Sequence, residues 1–83
     1  MSLTNEYIQA AIHRSLEGEE FTGLLSVDFS YDAETKSFIL KFLLSHEPTE
    51  TDYELAGIIS TEFASYFNSS ELMSIREECY CND

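Results

Sequence analysis

The side chains with most chemical scope in this 83-residue chain are two cysteines, two histidines and sixteen acidic residues set against four basic ones. Cys79 and Cys81 stand one residue apart, so an extended strand holds them on one face at a poor distance for a disulfide. Reduced thiols follow. A Cys-x-Cys pair supplies half a metal site, but His13 and His46 have no ligand spacing to it, so neither a metal nor a cofactor is expected. A nucleophilic cysteine needs a neighbour that lowers its pKa, whereas Cys79 and Cys81 follow Glu77 and Glu78, whose charges raise it. His13 beside Arg14 and His46 beside Glu47 read as solvated surface histidines. A glycine-rich phosphate loop, a nucleophile elbow and a His-Glu-x-x-His pair are all missing from the sequence, so the chain is read as a non-enzyme.

The formal net charge is -12. Self-repulsion at that density opposes a compact state, which suggests that the field serves a positively charged partner. The plainer alternative is that it keeps a small protein soluble and monomeric. Direct nucleic-acid binding is excluded, because phosphates are met with Lys and Arg and there are four in total. A surface that imitates phosphates fits better, and a basic cleft such as that of a nuclease would accept it. The densest acidic cluster is Glu47, Glu50, Asp52 and Glu54. Helix capping and dipole complementarity explain Asp52 and Glu54 at about 0.3–1 kcal/mol each, leaving Glu47 and Glu50 without that purpose. Glu77 and Glu78 form a smaller group near the end. Tyr7, Tyr53 and Tyr80 fall off the apolar stripes; packing at a core margin is the preferred reading of each, and interface anchoring is the competing one. The candidate partner-binding residues are Glu47, Glu50, Asp52, Tyr53, Glu54, Glu77, Glu78 and Tyr80.

These side chains need a scaffold, and 83 residues suffice for one domain, 1–83, with a marginal core. The hydrophobic fraction of 43% exceeds that of a disordered acidic chain. Neither a leader peptide nor a membrane span is visible, so a cytoplasmic protein is expected. Thr4 as N-cap, with Leu3 and Ile8 at staple spacing, opens a helix over 5–17 carrying Ile8, Ala11, Ile12 and Leu16 on one stripe. Gly18 can take the left-handed closing position. From Phe21 the period becomes two, with Phe21, Leu25, Val27, Phe29 and Tyr31 inward and Leu24 outward. Asp32 to Thr35 make a turn into a second strand, with Phe38, Leu40, Phe42 and Leu44 inward and Ile39, Lys41 and Leu43 outward.

Pro48 closes that strand, and Thr51 with Glu54 has capping-box spacing for a helix over 52–67. Its stripe is Leu55, Ile58, Ile59, Phe63, Tyr66 and Phe67. The tail from Glu71 fits helical and extended periods equally, but a lone hairpin is marginal, which favours a third strand over 73–81. A right-handed crossover makes that strand parallel to the second and permits a sheet order of 2-1-3. The expected fold is α+β, ordered α-β-β-α-β, with a small mixed three-stranded sheet and two helices on one face.

The C-terminal half, with Thr61, Glu62 and Phe63 on an acidic helix and then Ile75, Arg76, Glu77 and Glu78, resembles the small acidic immunity proteins of bacterial toxin systems. These include the partners of contact-dependent growth inhibition toxins and of colicin-type nucleases. The resemblance implies a cytoplasmic inhibitor that binds a cognate basic toxin domain, often a nuclease, at or beside its active site. A different class of function is a self-associating structural or adaptor subunit, a weak homodimer built on Leu24, Ile39 and Leu43 of the open sheet face.

Overall fold

A computed structural model describes residues 4–81. The Thr4 hydroxyl accepts the Tyr7 amide at 3.1 Å and caps α1, Asn5–Leu16. Glu6 in the first turn and Arg14 in the last complement the helix dipole. Leu3, half of the expected staple, lies outside the described residues. Gly18 takes φ +82, the left-handed closing conformation.

The first strand, β1, is Leu24–Asp32 and begins three residues later than the alternation suggests. It pairs antiparallel with β2, Ser37–Leu44, through a turn in which Asp32 Oδ1 accepts the Glu34 amide at 2.9 Å. The register shifts between Leu24 and Ser26. That bulge corrects the inward assignment, because an extra residue on one strand breaks the two-residue alternation. Leu24 packs against the core and Leu25 is exposed.

Thr49, two residues before the expected Thr51, caps α2, Glu50–Ala64, and forms a reciprocal capping box with Asp52. Asp52, Ala56, Ile59 and Phe63 are buried, spaced four, three and four apart along one helix face. Ile58, expected on that stripe, is instead 53% exposed. Anchoring Asp52 inward sets the roll of the helix, and a residue six positions further on faces solvent. The chain leaves the helix after Ala64, yet Phe67 still packs on Phe63 and Phe38, with ring centroids 4.8 and 5.3 Å away.

The third strand, β3, is Ser74–Cys81 and settles the ambiguous tail as extended. It lies parallel to β2 and beside it, so the order is β1-β2-β3 and not the 2-1-3 that was expected. The two neighbouring parallel strands and α2 between them form a direct β-α-β unit. It also gives the central position to β2, whose side chains are apolar on most of both faces. Phe38, Leu40, Phe42 and Leu44 form the buried centre with Ile8, Ala11 and Ile12 of α1, the inward side of α2 and Cys79 of β3. Both helices cover that one sheet face, giving the α+β arrangement α-β-β-α-β. Among the described residues no helix is long and apolar enough to cross a membrane.

Candidate partner-binding surface

The outward side of α2 is built by the residues that its buried stripe excludes. With Asp52, Ala56, Ile59 and Phe63 inward, helical spacing brings Glu54, Ile58 and Glu62 into one exposed row, four residues apart. Glu50 and Tyr53 continue this surface at the N-terminal end, and Tyr53 is 48% exposed. No lysine or arginine occurs on α2. The helix therefore presents two exposed apolar or aromatic side chains among acidic residues and the exposed Thr51 and Thr61, with no basic residue. Ile58 was invisible as a surface residue in the sequence, because its neighbour Ile59 satisfies the same apolar periodicity.

The remaining candidates divide between environments. Glu47 is exposed on the loop before the helix. Asp52 is only 6% exposed. Its Oδ2 accepts the Thr49 amide at 2.9 Å and lies 2.8 Å from His46 Nε2, so its carboxylate is committed to the helix start. His46 is thereby a structural partner and not a solvated bystander. Strand alternation separates Glu77 from Glu78. Glu77, opposite Leu40, stands on the helix-covered face, while Glu78, opposite Lys41, stands on the open one. Glu78 accepts from Arg76 Nη2 at 3.1 Å and from the Tyr80 hydroxyl, and Tyr80 stays 45% exposed. The bond to Glu78 is the main cause that pushes the Tyr80 phenol above its ordinary value, since it favours the protonated form.

Register lines up the open face. Asp28, Lys41 and Glu78 form one row across the three strands, and Ser30, Ile39 and Arg76 form the next. Two of the four basic residues are spent there. Tyr7, the third tyrosine off the apolar stripes, donates its hydroxyl to the Tyr66 carbonyl at 2.6 Å and sets its ring edge-on to Phe67. It is a core-margin residue.

Among the described residues neither Cys79 nor Cys81 forms a disulfide, and Cys79 is buried. Burial first, then the charges of Asp52 and Glu77, push its pKa up. Among the described residues no group of three or more His, Cys, Asp or Glu could hold a metal ion.

No curated protein matches the chain. A protein-family model, however, matches residues 5–83, which takes in α1 and the hairpin as well as the C-terminal half that carried the resemblance. On that match, the chain belongs to the MafI2 immunity protein family.

Proposed function

We propose that the chain neutralises a basic toxin domain, a nuclease, by seating the outer side of α2 on it in the cytoplasm, without cofactor or catalysis. Family membership points to immunity against a cognate toxin. The observation that carries the surface assignment is the exposure of Ile58 and Tyr53 among Glu50, Glu54 and Glu62 on a helix with no basic residue. Apolar and aromatic side chains of this kind anchor interfaces, while acids around them steer encounter and set partner choice. Glu47 extends the acidic rim on the loop, and Glu78 and Tyr80 bound it around the edge of β3. Asp52 serves the surface indirectly, by fixing the roll of the helix.

The test is affinity for the toxin domain encoded by the neighbouring reading frame, together with protection of cells that express that toxin. Replacing Tyr53 by Ala should weaken binding by about tenfold or more, as expected of an interface anchor. Toxin binding that is indifferent to Tyr53→Ala and to a combined Glu50→Gln, Glu54→Gln change would place the interface elsewhere on the molecule.

A further inference from the structure

We infer that the groove between α2 and β3 is a socket for a single arginine side chain of the partner protein, a step that rests on the immunity reading above. Gly57 leaves α2 without a side chain where β3 approaches, and a Cβ placed there would lie 3.5 Å from Glu77 Oε1. Glu77 is half-buried on the helix-covered face, and its carboxylate has no hydrogen-bond or ion-pair partner among the described residues. Ser60 lines the same groove, is 2% exposed, and has a hydroxyl without a hydrogen-bond partner among the described residues. Glu54 and Thr61 stand at the rim and Ile75 supplies an apolar wall.

The sealed Ser60 hydroxyl is left without a partner, which costs free energy until something donates to it, and the partly solvated Glu77 carboxylate beside it lacks a counter-ion. Among the described residues no cationic side chain supplies that donor, since Arg14, Lys36, Lys41 and Arg76 are the lysines and arginines of the sequence and none lines the groove. A guanidinium answers the whole set. Two parallel N–H groups can engage the Glu77 carboxylate, a further N–H can reach Ser60, and the weakly hydrated plane can lie on Ile75. An ammonium is more strongly hydrated and lacks the fork, so lysine fits less well.

The experiment is an NMR titration of the full chain with N-acetylarginine amide, with N-acetyllysine amide as comparison. Saturable shifts at the amides of Gly57, Ser60, Thr61 and Glu77 are expected for the arginine derivative. They should be about tenfold weaker in Glu77→Gln, which keeps the side-chain shape and removes the charge. Shifts that scatter over all acidic residues without saturating, or that survive Glu77→Gln, overturn the socket. An equal response to the lysine derivative overturns the choice of arginine. A second arm measures the neighbouring toxin domain against Glu77→Gln and Gly57→Leu. Wild-type binding that both variants retain at full strength overturns the socket and leaves immunity standing. Failure of the toxin to bind the wild type overturns the immunity reading, and the arginine titration then judges the socket alone.

Discussion

Asp52 shows how one acidic side chain can be taken for a surface charge and turn out to be structural. Its Oδ2 accepts the Thr49 amide at 2.9 Å and the Thr49 hydroxyl at 3.1 Å, and the Thr49 hydroxyl in turn accepts the Asp52 amide at 3.3 Å. The Thr49 amide is the largest influence on its pKa and, with His46 adding to it, outweighs the opposing effect of burial, so the carboxyl is held below its ordinary 3.8. A depressed folded-state pKa means that the unfolded chain binds more protons, so stability rises with pH. The contribution is complete above the ordinary value and is lost as pH falls through the lowered folded one. We expect Asp52→Ala to cost about 1–3 kcal/mol at neutral pH, because the helix cap and its part-buried donors lose their acceptor. In urea titrations from pH 7 downward, the gap between wild type and variant should close in acid. A gap that stays constant to pH 2 would show that the carboxylate charge is not what holds the cap. Gly23 belongs to the same assembly: it sits at φ +83, and a Cβ there would meet His46 Nδ1 at 2.6 Å. A side chain at that position would displace the His46 ring from Asp52.

At the scale of elements, α2 joins core and surface through its roll, and a pair of adjacent isoleucines tests it. Ile59 is fully buried against the sheet, whereas Ile58 is half-exposed among glutamates. Ile59→Ala should cost about 2–5 kcal/mol, a large part of the margin of a small domain. Ile58→Ala should move stability by no more than about 0.5 kcal/mol while weakening toxin binding. Equal losses of stability in thermal melts would mean that the helix is rolled differently. The same pair marks what the sequence could reveal. The hairpin was legible because β2 alternates without interruption from Ser37 to Leu44, and Glu50, Tyr53 and Glu54 were legible because charge and aromaticity cluster at a helix start. The roll was hidden: Ile58 and Ile59 both satisfy an apolar period, while the residues that settle it, buried Asp52 and Ser60, are polar. The bulge at Leu25 was hidden for a related reason, since Leu24 and Leu25 are equally apolar and only pairing decides which turns inward. Strand order was open because periodicity says nothing about which neighbour a crossover selects.

Taken over the whole molecule, the charge is unevenly shared. By register, the open sheet face carries Asp28, Asp32 and Glu78 against Lys41 and Arg76, a net of -1 out of the total of -12. Nearly all of the field therefore arises from the helices, the loops and the helix-covered side, and the two kinds of surface have different prospects as interfaces. The molecule measures 37 × 25 × 19 Å, so at about 0.01 M salt, where the Debye length is roughly 30 Å, its charges act together, and at about 0.15 M, where it is roughly 8 Å, they act locally. Salt should then have opposite effects on the free and bound protein. For the isolated chain, screening relieves self-repulsion, so adding sodium chloride should raise the urea midpoint. For the complex with a basic toxin domain, screening removes steering, so the association rate should fall by tenfold or more over about the same range while dissociation changes little. Stopped-flow mixing and equilibrium unfolding in matched buffers measure the two trends. If the association rate proved insensitive to salt, the acidity would serve solubility alone, and recognition would rest on Ile58, Tyr53 and shape. If Asp28→Asn on the open face slowed association as much as Glu54→Gln on α2, the field would be acting without regard to surface, and α2 would lose its claim as the docking side.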